Sequence, residues 1–135
     1  IGDISKEALQ LIEATKKSLA EAIKVCKAGN HLGDIGFAIE TIVKNGGFKV
    51  VHGLTGHGVG FELHEDPTIL NYGNSGEGLE LKPGMVLAIE PMVAVSTSEI
   101  KQNKDDSFST KDGSLSAHFE HTIAITEAGT EILTF

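Results

Sequence analysis

The chain has a single cysteine, no tryptophan, no long apolar run and a shortage of basic residues. With Cys26 as its only thiol it can form neither an internal disulfide nor a thiolate cage for structural zinc, which points to a reducing, cytoplasmic setting. No stretch approaches the roughly 18 apolar residues a membrane helix needs, so a membrane is not an expected partner. Eleven basic against nineteen acidic side chains leave a net charge of -8. Nothing gathers the basic ones into a patch, so nucleic acid is not expected either. What remains is ordinary globular material, 135 residues that are 40% hydrophobic and 22% charged. That is enough for one domain over 1–135, whose core needs no metal merely to stay folded. Any metal would therefore serve chemistry. No signal segment precedes the first helical pattern, and the chain opens on Ile1, which reads as part of a longer product.

From Ser5 to Cys26, Ala8, Leu11, Ile12, Leu19, Ala22, Ile23 and Cys26 recur mostly three and four apart, the pattern of an amphipathic helix. Ser5 is its expected cap and Gly29 its left-handed stop. A second helix is expected after Asn30 as N-cap, with Ile35, Ala38, Ile39, Ile42 and Val43 buried and Asn45-Gly46-Gly47 ending it. The two should pack as a pair. Beyond Gly47 short apolar runs alternate with turn residues, so the rest reads as sheet in an α+β unit. Strands are expected over Phe48–Val51, Met85–Val95, His118–Thr126 and Thr130–Phe135. Asn71–Gly84 reads as a polar loop, and Ser98–Gly113 as a hairpin at the sheet's edge.

Metal-competent side chains concentrate in Gly56-His57-Gly58-Val59-Gly60, Leu63-His64-Glu65-Asp66-Pro67, Ala88-Ile89-Glu90-Pro91-Met92 and Ala117-His118-Phe119-Glu120-His121-Thr122. Strand alternation puts Glu90 on one face with Ala88, Met92 and Ala94, and Glu120 opposite the apolar stripe of its own strand. A carboxylate in mid-strand is costly to bury unless it is paired or bound to a cation. His57, between two glycines, stands where the backbone can turn sharply and something bulky can approach the ring. Taken singly, a His between glycines is often a turn residue and a strand Glu often solvated. In combination His57, Glu90 and Glu120 read as a metal site, and His with carboxylate oxygens suits Mn, Fe, Co or Zn. The glycines also resemble a phosphate loop superficially, but no Lys-Ser/Thr pair follows.

These segments resemble the C-terminal half of a type I methionine aminopeptidase. The resemblance is carried by the His57 and His64 motifs, by Leu81-Lys82-Pro83-Gly84-Met85 with Ile89-Glu90-Pro91-Met92, and by Ser114-Leu115-Ser116-Ala117-His118-Phe119-Glu120-His121-Thr122. It runs in order along almost the whole chain and includes both helices. It implies half of a pita-bread fold, two helices on a curved, mostly antiparallel sheet. It also implies a site for two divalent ions (Co, Mn, Fe, Ni or Zn), where a metal-activated water cuts the first peptide bond of a peptide or nascent chain beginning with Met. By the same resemblance His57 is a metal ligand, Glu90 a ligand near the attacking water, and Glu120 a bridging ligand. His64 then contacts the scissile amide.

The family's two Asp ligands and a further His have no matching segment here, and the resemblance assigns them to a complementary N-terminal half. Asp3, Asp34, Asp105 and Asp106 sit in helix-border or turn contexts and do not replace them. Leu63 stands where many relatives carry Phe. Asp106 occupies the position of the family's pocket Trp, with Phe108 the nearest aromatic; Leu63 and Phe108 together are expected to line the pocket for a thioether side chain. His118 is expected to orient Glu120, His121 to be a hydrogen-bonded core imidazole, and His31 and His52 to be cap or turn residues. Cys26 should be packed, and Glu65 and Asp66 solvated. Two other readings stay open: a catalytically incomplete peptide-binding module, and a related X-Pro peptidase or mononuclear hydrolase.

Overall fold

The first amphipathic pattern folds as α1 (Lys6–Val25) in a computed structural model that describes residues 2–134. Ser5 caps it, accepting the Ala8 N–H at 3.1 Å. Thr15 and Ser18 are buried on its inner face and donate their hydroxyls to the carbonyls of Leu11 and Thr15, so neither is left unpaired. The helix ends at Cys26, not Gly29. Gly29 is left-handed (φ 89°) but lies beyond the helix end, where its N–H reaches the Leu81 carbonyl. The second helix, α2 (Leu32–Asn45), is capped by His31 and not by Asn30. The Asn30 amide is drawn instead to the Val25 carbonyl at 2.8 Å, one of the acceptors that the end of α1 leaves open. The helices pack on each other, as expected.

Cys26 is fully buried and its thiol donates to the Ala22 carbonyl. Burial pushes that thiol from an ordinary 9.0 up to about 12. Alkylation by iodoacetamide near pH 8 should therefore be roughly a thousandfold slower in the folded chain than in urea, since the thiolate is the reacting species. Equal rates by mass spectrometry would contradict this burial.

The remaining elements are short strands: β1 (Lys49–Val50), β2 (Gly56–Gly58), β3 (Glu65–Ile69), β4 (Val86–Ile89), β5 (Met92–Ala94), β6 (Ile100–Gln102), β7 (Phe108–Thr110), β8 (Ser116–His118), β9 (His121–Thr126) and β10 (Gly129–Ile132). All pair antiparallel, in a five-stranded sheet ordered β10-β9-β4-β2-β3, a three-stranded sheet β1-β5-β8 and a ribbon β6-β7. Residues 98–113 do form a hairpin, but as a ribbon of its own, not as the edge of a sheet. The core joins Leu11 and Leu19 of α1 and Ile35, Ile39 and Val43 of α2 to Ile69, Leu87, Ile89, Ile123 and Ile125 of the larger sheet. Ile1 and Phe135, the last residue of the expected terminal strand, lie outside the described residues. Among the described residues no helix is long and apolar enough to cross a membrane.

The two strongest expected strands are each broken. Met85–Val95 is β4 and β5, interrupted at Glu90-Pro91; His118–Thr126 is β9 preceded by β8, interrupted at Phe119-Glu120. Ile89 pairs with His121 and Met92 with His118, so the two breaks face each other where both chain segments leave one sheet for the other. Pro91 has no N–H to give to a ladder, which is why the break falls there. The face expected for Ala88, Glu90, Met92 and Ala94 is thus divided between two strands, with Glu90 at the break.

The glycine-flanked His57 also lies in a strand, not in a sharp turn. A methyl at Gly56 would overlap the Ala88 carbonyl, and one at Gly58 the Asp66 carbonyl, so β2 fits between β4 and β3 only without those side chains.

Candidate metal centre

Glu90, at the seam between the sheets, has a side chain only 12% exposed. Each of its oxygens meets an imidazole: Oε1 lies 3.1 Å from His57 Nε2, and Oε2 lies 3.5 Å from His118 Nε2. The other ring nitrogen of His57, Nδ1, is 2.8 Å from the Gly58 carbonyl, an acceptor, so Nδ1 carries the hydrogen. In the neutral ring Nε2 then turns a lone pair toward a carboxylate oxygen. That contact is favourable only with a proton or a cation to share.

Glu120 stands at the facing break and is exposed. Glu90, His118 and Glu120 offer ligand atoms that all lie within 4.8 Å of one another. Burial, and after it the Glu120 charge, pushes the Glu90 carboxyl above its ordinary value, while His57, His118 and His64 pull the other way. His64 is exposed, its ring set edge-on against His57 with centroids 4.3 Å apart. Two imidazoles and two carboxylates around the Glu90 head are a donor set suited to Mn, Fe, Co or Zn, so the residues present fit a divalent ion.

A folded-state pKa raised above the ordinary value means that ionised Glu90 costs stability as pH rises through that value, and costs nothing well below it. Glu90→Gln should thus raise the melting temperature of the metal-free chain at neutral pH, with the gain vanishing near pH 4. Thermal unfolding under chelator at both pH values checks the sign.

The structure brings His57, His64, Glu90 and Glu120 together, and of the two expected pocket residues only Phe108 lines the cavity beside His118. Phe108 lines a cavity of about 280 Å³ with Val51, Leu54, Met92, Ile100 and His118. Leu63 is 73% exposed and outside that lining. His118 was expected beside Glu120 alone; it also faces Glu90, because β8 runs beside β5. His121 is hydrogen-bonded, to the Thr134 hydroxyl at 3.0 Å, but only half-buried, lining an open cavity with residues of α1 such as Leu19 and Ile23. Glu65 is not simply solvated; it accepts the Glu62 N–H at 2.8 Å. Asp34 is committed elsewhere: it accepts from the Ser75 hydroxyl and from the His31 and Gly76 N–H groups, which hold its carboxyl low.

Asn71 was missed. It is 1% exposed and its amide donates to the Glu90 backbone carbonyl at 2.8 Å, anchoring the seam. As the first residue of a polar loop it carries no sequence signal. Pro91, by contrast, marks the strand break openly.

A profile of metallopeptidase family M24 matches residues 1–127. The chain is 50% identical over 135 residues to a methionine aminopeptidase of Clostridium acetobutylicum, covering 99% of this chain and 54% of that protein. It is equally similar to methionine aminopeptidase 1 of Bacillus subtilis, 50% identical with the same coverage. The crystal structure of the Rickettsia prowazekii methionine aminopeptidase superposes with a TM-score of 0.96 at 42% identity, over 99% of this chain and 55% of that one. A dipeptidase of Pyrococcus horikoshii, at 23% identity and a TM-score of 0.76, shares the fold. The chain spans about half the length of the curated relatives it matches.

Proposed function

The chain belongs to metallopeptidase family M24, and from that premise we propose that residues 1–135 form the C-terminal half of a methionine aminopeptidase. Its reaction is hydrolysis of the bond after an N-terminal Met, on peptides and nascent chains in the cytoplasm. The observation that carries this reading is the meeting of His57 and Glu120 with Glu90 at the facing strand breaks. Similarity to proteins named methionine aminopeptidase supports the choice of substrate.

His57, Glu90 and Glu120 would hold the divalent ion. Bound there, the ion supplies Lewis-acid polarisation of the scissile carbonyl and acidification of water. Glu90, nearly buried at the seam beside His57 and His118, can accept a proton during attack and return it to the departing amine. His64, exposed beside His57, is free to donate to the scissile amide. The cavity under Phe108 suits an unbranched apolar side chain, and His118, which lines it and faces Glu90, sets that side chain next to the reacting centre. The remaining ligands of this reading, two Asp and one His, come from a complementary half.

Hydrolysis of Met-Ala-Ser by the chain, alone and mixed with the N-terminal segment of the Clostridium acetobutylicum relative, tests this. Met release in the mixture, abolished by chelation, is the expected result. Peptide binding that survives chelation, with no release in either sample, would replace the enzyme with a peptide-binding module.

A further inference from the structure

We propose that His118 is itself a metal ligand, so that Glu90, His118 and Glu120 hold one divalent transition-metal ion without any residue from outside this chain. This rests on reading the seam as a metal centre, but not on the reaction assigned to it.

Donor atoms bound at about 2.0–2.1 Å around a tetrahedral ion stand roughly 3.3 Å apart. His118 Nε2 lies 3.5 Å from Glu90 Oε2, and His57 Nε2 lies 3.1 Å from Glu90 Oε1. The first distance is longer than a good N–H···O hydrogen bond, whose range ends at about 3.2 Å, and close to the separation of two ligands.

Partners point the same way. Among the described residues the His118 ring nitrogens meet no other acceptor, and the side chain is 47% exposed, free to swing toward an ion at the seam. Glu90 and Glu120 repel each other across the breaks. Two facing carboxylates with an imidazole on each side of Glu90 gain more from one shared cation than from either ring alone.

The break positions explain why the group converges. His118 ends β8 opposite Met92, and Glu120 follows two residues later in the facing break. Had the expected continuous strand formed, His118 and Glu120 would simply have shared one face of it. At the seam both instead approach the Glu90 head.

The test is Co²⁺ titration of the 135-residue chain without substrate, followed by visible absorption, for the wild type, His118→Gln and His118→Asp. Glutamine keeps an N–H for Glu90 but is a poor ligand; aspartate restores a ligating oxygen. Circular dichroism verifies that each variant folds. We expect one Co²⁺ per wild-type chain. His118→Gln should lose affinity by more than about 100-fold, beyond the roughly 10- to 100-fold expected of a group that only orients a ligand, and alter the visible bands, and His118→Asp should recover part of that loss. Unchanged affinity and bands in His118→Gln would overturn the proposal, as would a wild-type chain that binds no Co²⁺. Co²⁺ binding that depends on His118 but accompanies no Met release, even with the complementary segment, leaves this inference standing and removes the aminopeptidase reading. Met release with Co²⁺ affinity indifferent to His118 does the reverse.

Discussion

If the proposed reading holds, Glu120→Gln lowers divalent-metal affinity by more than about 100-fold and brings Met release below detection, because on that reading it removes a ligand outright and not merely a group that orients one. Glu120 is exposed and glutamine has its shape, so folding stability should stay within roughly 0.5 kcal/mol of wild type. The change also removes the carboxylate that helps hold the Glu90 pKa up, so Glu90 becomes easier to ionise. A loss of metal cannot then be blamed on protonation of Glu90. Elemental analysis after dialysis, with Met-Ala-Ser hydrolysis in the presence of the complementary segment, reads both effects. Metal retained at wild-type stoichiometry would remove Glu120 from the site.

Ile123→Ala should cost about 3 kcal/mol, within the range of roughly 2–5 kcal/mol for truncating a fully buried aliphatic side chain. Ile123 is fully buried in β9, its register partners being Leu87 on one side and Ile132 on the other. Little can collapse into the space, because the sheet backbone holds its neighbours apart. Against a typical total of about 5–15 kcal/mol, this is a large share of the fold's stability. Ile132→Ala removes the same atoms from the paired position, but Ile132 is 47% exposed and should cost about 1 kcal/mol or less. Urea unfolding compares them: the midpoint should fall steeply for Ile123→Ala and little for Ile132→Ala, with the slope unchanged in both. Equal losses would mean that the larger sheet is not packed as described.

These predictions draw on information of two kinds. Both helices were legible to within a residue or two, because their apolar stripes are local and bury one face wherever the chain goes. Their caps were less so: Asn30 and His31 compete for one role, and Asn30 is taken by the Val25 carbonyl, a partner visible only after folding. The grouping of His57, Glu90 and Glu120 was also legible, since polar groups set among glycines and apolar residues need a reason to be there, whereas the part of His64 was implied only by the family resemblance. Strands β2 and β3 were not legible, because each is short and Gly-rich or polar, and exists only through its neighbours.

By itself, the sequence determined the α+β class, the two helices, the packed thiol and the set of side chains able to bind a cation. The tertiary structure alone decided that the expected strands over 85–95 and 118–126 break opposite each other, that Asn71 anchors Glu90, that His118 faces Glu90 as well as Glu120, and that Phe108 lines a cavity with His118. The physical reason is that a strand's alternation persists through a change of sheet, whereas its hydrogen-bond partners lie far along the chain. Where two ladders exchange partners at the same level, side chains remote in sequence are carried to one point, and no local pattern records it.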